Sequence, residues 1–277
     1  MAKVVIITGG ANGIGLAVAK SLSERTASPW HIHIVDANPS AGAAAAASLP
    51  HATFHHADVA DYSALHRGAP QFIDAATEQA QGDSPPSSFP DGIMKVLDVN
   101  LKSVLNTTFM ATHYMIKGEG GGDMVLTSSA VGMYPVALAP LYASAMHGVL
   151  GLARSLAPRL HANHNIRVNA LCPGMVSRAL LADDEWVKIV SSSDTWTPIS
   201  CVVDAVLRVV DCGTDLERPV VDSVGKEVKV GEMFGRTFEC SGKKWYWRDL
   251  VPFFDETMEV VMGSNAQRKL WSKERVE

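Results

Sequence analysis

A glycine-rich turn near the start of the chain constrains the fold more than any other feature of the sequence. It follows a run of β-branched residues at 3–8 and precedes residues 14–22, where apolar side chains recur at helical spacing. Glycines in this turn let the backbone approach a pyrophosphate, and the N-terminus of the next helix offers it free N–H groups. Such a turn by itself occurs in many α/β proteins. Its position between a strand and a helix indicates a nucleotide-binding domain.

The order of the remaining elements predicts the rest of the fold. Apolar runs at 31–35 and 53–59 are typical of strands, and the alanine-rich stretch between them is typical of a helix. Strands that alternate with helices through short links indicate an α/β fold: a Rossmann-like, doubly wound parallel sheet in three α/β/α layers. Further along the chain, helices are predicted at 94–117, 142–160 and 202–210, and strands at 123–128, 166–171 and 219–221.

Composition excludes several classes of protein. The chain has 277 residues, 47% of them hydrophobic, and a net charge of −5. It contains no Lys/Arg-rich run, so we expect no nucleic-acid partner, and no apolar stretch reaches the roughly 18 residues of a membrane span. The N-terminus enters a strand at once, which leaves no room for a signal peptide, and the four cysteines form no Cys-x-x-Cys pair. From these features we expect a cytoplasmic protein. No metal-ligand spacing occurs, so we also expect no metal site.

Asp36 indicates which nucleotide the turn would bind. It ends the second predicted strand, about 20 residues after the glycines, where a carboxylate accepts hydrogen bonds from the adenosine ribose and repels a 2′-phosphate. This position favours NAD over NADP. The alternative is that Asp36 caps a helix at the surface.

Several further motifs occur together in the order of one protein family. They are Thr-Gly-x-x-x-Gly-x-Gly at residues 8–15, Asp58-Val59, Asn100, Ser129 with Tyr142 13 residues later, and Pro173-Gly174. With these motifs the chain resembles the short-chain dehydrogenases/reductases from about residue 3 to about residue 230. The sequence around Tyr142 is most similar to NAD-dependent members related to 15-hydroxyprostaglandin dehydrogenase.

The resemblance implies an NAD(P)-dependent oxidoreductase that interconverts a secondary alcohol and a ketone on a small molecule, in natural-product (secondary) metabolism as in many fungal members. It implies that Ser129 polarises the substrate oxygen, that Tyr142 passes the proton, and that Asn100 supports a water behind the family's lysine. It also implies a homo-oligomer that pairs through the long helices carrying Asn100 and Tyr142. The residues expected to bind the cofactor are Gly9, Asn12, Gly13, Ile14, Gly15, Asp36, Asp58, Val59, Pro173, Gly174 and Val176.

The first departure from the family is Met146. The family places a lysine four residues after the tyrosine, about 40° round the helix, where its charge lowers the phenol pKa and its ammonium holds the nicotinamide ribose. A thioether carries no charge and donates no hydrogen bond. His147 does not replace the lysine, because it lies about 140° round the helix. Met146 also suits plain packing, since methionine fills irregular gaps.

The second departure is a missing strand. Between Asp58 and Asn100 the family has a helix, a central strand and an Asn-Ala-Gly turn, and none of the residues from 59 to 99 here has a strand pattern. The usual fourth strand is therefore missing or replaced. Omitting a central strand leaves two ladder edges unpaired. We expect either that the first strand pairs directly with residues 123–128 or that an irregular segment fills the slot.

The C-terminal part carries no motif of this family. We expect a short-chain dehydrogenase-type Rossmann domain over 1–232 and a C-terminal extension over 233–277, packed on or beside it as a lid or a subunit contact. The aromatic residues at 245–247 and 253–254 fit a core or a subunit contact better than a lid. A third, smaller departure is Arg178, which replaces a threonine that contacts the carboxamide in the family.

Three functions stay open from the sequence. The first is an NAD-preferring oxidoreductase with impaired redox machinery. The second is a non-redox cyclase or isomerase on the same scaffold, which uses Ser129, Tyr142 and Asn100 as polar groups. The third is a catalytically inactive paralogue.

Overall fold

The computed structural model describes residues 3–25, 29–60, 91–118, 121–137, 139–176, 196–213 and 215–262. Its helices are α1 (Gly13–Ser23), α2 (Pro39–Ala47), α3 (Asp91–Leu97), α4 (Ser103–Lys117), α5 (Pro140–His164), α6 (Ile199–Val210) and α7 (Glu256–Met262). Its strands are β1 (Lys3–Thr8), β2 (Trp30–Asp36), β3 (Ala52–His56), β4 (Gly122–Thr127), β5 (Ile166–Pro173), β6 (Pro219–Val221), β7 (Glu227–Lys229), β8 (Thr237–Ser241) and β9 (Lys244–Arg248).

The N-terminal sheet has three parallel strands in the order β1-β2-β3. One of its faces is apolar and packs into the core, because Val5 and Ile7 lie opposite Ile32 and Ile34 in register. The other face of β1 is open, with Val4 62% exposed. Side chains alternate between the two faces of a strand, so the first strand buries only half of its β-branched run.

The C-terminal sheet has four strands in the order β4-β5-β8-β9. Its first three strands are parallel, and β9 returns antiparallel to β8. A separate antiparallel hairpin joins β6 to β7. The sequence predicted no strand after residue 221, so β8 and β9 were missed.

Two apolar clusters cover the sheets. One contains side chains of α1, α6, β2, β8 and β9, and so joins both sheets through the helices on one face. The other contains side chains of α5, β4 and β5 on the opposite face. Helices on both faces of parallel strands confirm the predicted α/β, doubly wound class. None of the described helices is long and apolar enough to cross a membrane.

The expected direct pairing of the first strand with residues 123–128 is wrong. Among the described strands, β1 has its ladder with β2, and β4 has its ladder with β5. Side chains of α1 and α6 pack against both sheets in the first apolar cluster, so the two sheets are held together without ladder bonds between β1 and β4. The alternative, an irregular segment in the slot, falls on residues 61–90 and so lies outside the described residues.

The helices differ from their predicted ends. Helix α5 begins two residues earlier than predicted, with Pro140 in the first turn, where its missing N–H costs nothing. It ends at His164, because the next residue, Asn165, has a φ of 52° and stops the helix. The predicted helix at 94–117 is present as α3 and α4, joined by a π-helical turn at Asp98–Lys102. Trp245 and Trp247 on β9 are 3% and 4% exposed and belong to the core, as favoured over a lid.

Candidate active site

The glycine-rich turn lies at the carboxyl end of β1 and leads into α1. Gly9 and Gly13 have φ values of 66° and 53°, which glycine adopts without strain. A side chain at Gly15 would overlap the Gly9 carbonyl oxygen, so only glycine lets the helix begin this close to the turn. Asn12 caps α1, its side-chain oxygen accepting a hydrogen bond from the Gly13 N–H at 2.7 Å.

Asp36 stands beside this turn at the end of β2. Its two carboxylate oxygens accept hydrogen bonds from the backbone N–H groups of Ala11 at 3.0 Å and Asn38 at 2.9 Å. The cap of α2 is Asn38, which accepts from the Ala41 N–H, so Asp36 is not that helix's capping residue. The carboxylate is therefore held next to the glycines, where an adenosine ribose would lie.

A polar turn at the Asp58-Val59 pair follows β3. Asp58 accepts a hydrogen bond from the Ala60 N–H at 2.7 Å. Asn106 of α4 donates weakly to the carbonyl oxygens of Val59 and Ala60, both at 3.4 Å. These bonds tie the Asp58-Val59 pair to α4.

Asn100 lies in the π-helical turn between α3 and α4. Its side-chain amide donates to the Val96 carbonyl oxygen at 2.9 Å. A π-turn widens the helix and changes the direction of the neighbouring groups, and such turns are frequent at functional sites.

Ser129 and Tyr142 come together. Ser129 begins a short 3-10 turn after β4, with its hydroxyl accepting from the Val131 N–H at 3.3 Å. The Ser129 side chain lies close enough to the Tyr142 hydroxyl to lower the pKa of that phenol, because it favours the phenolate. Burial raises the pKa of Tyr142 above its ordinary value, and the Ser129 side chain only partly opposes this. The phenol is therefore protonated at neutral pH.

Met146 fills the position of the absent lysine. It is 3% exposed and packs among the apolar side chains of α5, β4 and β5. Its carbonyl oxygen accepts from the buried Ser128 hydroxyl at 2.8 Å, which fixes this turn of α5 to the end of β4. His147 is exposed, its ring nitrogen 2.9 Å from the Ala143 carbonyl oxygen, in agreement with its predicted outward direction.

The Pro173-Gly174 turn ends β5 on the same edge of the sheet. The Gly174 N–H donates to the Cys240 carbonyl oxygen at 2.7 Å, so β8 supports the turn. Val176 forms an isolated parallel bridge with Thr197. Arg178 lies outside the described residues.

Three polar residues beside this site were missed by the sequence reasoning. Glu239 of β8 lies opposite Cys172 in register and is 8% exposed. Its carboxylate accepts a hydrogen bond from Tyr134 and faces Arg248 of β9. A glutamate in an otherwise buried strand was the available signal, but β8 itself was not predicted. Among the described residues, no group of three or more metal-ligating side chains occurs.

The residues of this site fit the adenosine half of a nicotinamide cofactor but not its nicotinamide ribose. The glycine-rich turn leaves open space above Gly9, and Asp36 is placed for ribose hydroxyls, so the adenosine and pyrophosphate half fits. Met146 offers nothing to the nicotinamide ribose, because a thioether cannot donate a hydrogen bond.

Comparison with known proteins agrees with this fold and these motifs. The family model described as short chain dehydrogenase matches residues 3–186. The chain is 34% identical to "Short-chain dehydrogenase/reductase prx7" of Penicillium rubens, over 91% of this chain and 95% of that protein. It is also 34% identical to human "15-hydroxyprostaglandin dehydrogenase [NAD(+)]", over 66% of this chain and 71% of that protein. The chain belongs to the short-chain dehydrogenase/reductase family.

Solved structures show the same fold. The structure titled "4-hydroxyisoleucine dehydrogenase complexed with NADH" aligns with a TM-score of 0.66 and 19% identity, covering 87% of this chain and 97% of that one. The acetoin dehydrogenase of Enterobacter cloacae aligns with a TM-score of 0.63 and 21% identity, covering 86% and 94%. By family, the chain is an oxidoreductase of Rossmann fold.

Proposed function

We propose that this protein is an NAD-dependent oxidoreductase that interconverts a secondary alcohol and a ketone on a small molecule, with a weakened proton-transfer step. The observation that carries the proposal is the closeness of the Ser129 and Tyr142 side chains beside a buried Met146. NAD supplies a hydride acceptor when bound, and NADH a hydride donor. Side chains of the protein would bind the substrate and transfer the proton.

Ser129 would hold the substrate oxygen, and Tyr142 would exchange the proton with it. The raised pKa of Tyr142 keeps the phenol protonated at neutral pH, which suits proton donation to a carbonyl oxygen. Alcohol oxidation needs the phenolate instead. We therefore expect carbonyl reduction at neutral pH and alcohol oxidation only as the pH rises.

Asp36 supports the preference for NAD over NADP. A 2′-phosphate would meet a carboxylate that is already held in place by two backbone N–H groups. The likeness to a human protein named as NAD(+)-dependent supports the same preference.

The setting of the enzyme is proposed from its relatives. We propose a cytoplasmic homo-oligomer in natural-product metabolism, supported by likeness to the fungal proteins named prx7 and ATR7, the latter from Stachybotrys chlorohalonatus. We also propose that residues 233–277 form a C-terminal part attached to the domain at 1–232, with β8 as the point of attachment.

A non-redox cyclase or isomerase is the second candidate. A protonated phenol beside a serine hydroxyl can act as a general acid without a lysine, and the Tyr142 and Ser129 side chains lie close together. An inactive paralogue is the third candidate, and it predicts neither turnover nor cofactor binding.

Titration with NADH separates these functions. Thermal stability of the protein is followed against NADH concentration, and secondary alcohols and ketones are then offered with NAD and NADH. Stabilisation by NADH with ketone turnover supports the oxidoreductase. Cofactor binding without redox turnover favours a cyclase or isomerase. No binding by the protein or by Met146→Lys contradicts the proposal.

A further inference from the structure

The stretch that follows β9 exposes its side chains to an unusual degree. Every residue from 248 to 262 is exposed, through the link after β9 and the whole of α7. Phe254 is 98% exposed and Val251 is 83% exposed. The large apolar side chains exposed here are Leu250, Val251, Phe253, Phe254, Met258, Val260 and Val261. We call residues 250–261 the C-terminal apolar segment.

The C-terminal apolar segment is ordered locally but packs little against the described part of the chain. Asp249, just before it, is attached to the β7 hairpin, with 2.5 Å between its carboxylate and Lys226 Nζ. Inside the segment, the Asp255 side chain caps α7 by accepting a hydrogen bond from the Met258 N–H at 2.8 Å. A helix as short as α7 is marginal in water by itself. It therefore needs a surface to pack against.

The apolar area of the segment is large for the free surface of a monomer. Seven large apolar side chains that are each about half or more exposed present on the order of 800 Å², since a single aromatic side chain covers roughly 150–250 Å². Monomeric proteins rarely expose a contiguous apolar patch of more than a few hundred Å². About 800 Å² is also one partner's share of a standard protein–protein interface. The size of the segment thus fits a stable contact with another protein.

The charge of the segment indicates which partner it fits. Residues 249–262 contain four carboxylates and no Lys or Arg, so a nucleic acid or an anionic lipid surface is repelled. The next fifteen residues of the sequence contain four Lys/Arg and two Glu. An acidic stretch followed by a basic one is complementary to itself in an antiparallel contact, because the acidic part of each copy faces the basic part of the other. A second copy of this chain therefore suits both the area and the charge.

We propose that the C-terminal apolar segment forms a reciprocal contact between two copies of this chain, related by a two-fold axis. The proposal rests on the homo-oligomer of the proposed function and names a surface for it. The family resemblance implies pairing through the helices that carry Asn100 and Tyr142, whereas this contact lies in the C-terminal part. Neither the cofactor nor the chemistry of the active site enters the argument.

The test measures the molar mass of the full chain by light scattering after size-exclusion chromatography. Phe254→Asp and Leu250→Asp each place a carboxylate among the apolar side chains of the contact, and burying it raises the dissociation constant about 30-fold or more. At a concentration where the unmodified chain is just fully assembled, we expect the molar mass of both variants to fall to half. Both side chains are exposed in the single chain, so neither substitution disturbs its core.

Leu216→Asp is the matched control. Leu216 is an exposed leucine like Leu250, at 53% against 60%, but it lies before β6 and outside the segment. The same substitution there leaves the molar mass of the unmodified chain unchanged. A fall in mass with Leu216→Asp as well would show a general effect of added charge and overturn the proposal.

Two other results also overturn the proposal. One is an unmodified chain that is monomeric, or an unchanged molar mass in Phe254→Asp and Leu250→Asp with the circular dichroism of the unmodified chain, since the segment then packs on its own chain or binds another partner. The other is co-sedimentation of the unmodified chain with phosphatidylcholine vesicles that Phe254→Asp abolishes without changing the mass, since the segment then binds lipid. Absence of NADH binding or of ketone turnover leaves the molar mass untouched, so failure of the proposed chemistry is distinguishable from failure of the contact.

Discussion

Met146→Lys is the perturbation that bears most directly on the chemistry. An ammonium within a helical turn of Tyr142 lowers its pKa by roughly 1–3 units, which raises the phenolate population about 10- to 1000-fold near neutral pH. A charged hydrogen bond to the cofactor ribose adds roughly 1.5–3 kcal/mol of binding free energy, or about 10- to 150-fold in the dissociation constant of NADH.

The same substitution carries a cost that the structure makes visible. Met146 is 3% exposed in an apolar cluster, so the new ammonium loses its hydration in the cofactor-free protein. We expect a loss of stability of about 1–3 kcal/mol, and a fall in melting temperature of about 2–10 °C. NADH binding gives the ammonium a hydrogen-bond partner in the ribose and reverses most of this loss.

The assay measures three quantities on the unmodified chain, Met146→Lys and Met146→Leu. They are the melting temperature with and without NADH, the dissociation constant of NADH, and the rate of alcohol oxidation between pH 7 and pH 10. Met146→Leu keeps the apolar volume and controls for altered packing. The reasoning is refuted if Met146→Lys folds but binds NADH no more tightly than the unmodified chain and oxidises alcohols with an unchanged dependence of rate on pH.

Three further predictions concern the cofactor turn and the N-terminal sheet. Asp36→Ser removes the carboxylate that repels a 2′-phosphate, so the ratio of NADPH to NADH affinity, measured by calorimetry, rises about tenfold or more; an unchanged ratio removes Asp36 from cofactor selection. Gly15→Ala brings a methyl group onto the Gly9 carbonyl oxygen, so NADH binding is lost or the protein is destabilised in thermal unfolding; normal binding shows that α1 can shift. Burial and the neighbouring His55 lower the pKa of His33, so the folded chain binds fewer protons here than the unfolded chain. The free energy of unfolding is therefore retained above about pH 6.5 and decreases as the pH falls below it. His33→Gln flattens that part of a denaturant-melt pH series, and equal slopes in both proteins contradict the assignment.

The local chemistry of the site was predictable because each motif is short and contiguous. The glycines of the turn, the cap at Asn12 and the position of Asp36 depend on a strand followed by a helix, which the hydrophobic pattern shows directly. The direction of Met146 and His147 followed from the helical repeat alone. The structure places them accordingly, one buried and one exposed.

Long-range pairing was not predictable in the same way. Strands β8 and β9 are five residues each, and their aromatic and polar residues depend on neighbours from β5 and α6 for burial. The Tyr134–Glu239 bond joins positions 105 apart, and no local pattern encodes such a contact. The expected pairing of β1 with residues 123–128 was wrong for the same reason, because the two segments lie far apart in sequence and helices, not a shared ladder, join the two sheets.

The central claim is that the chain keeps the adenosine half of a dinucleotide site and lacks the group that holds the nicotinamide ribose. Calorimetric titration with ADP and with NADH tests this most directly, since ADP has the adenosine and the pyrophosphate but lacks the nicotinamide ribose. The account predicts dissociation constants within about threefold of each other for the unmodified chain, and NADH tighter by about tenfold or more in Met146→Lys. NADH binding tenfold more tightly than ADP in the unmodified chain would contradict it.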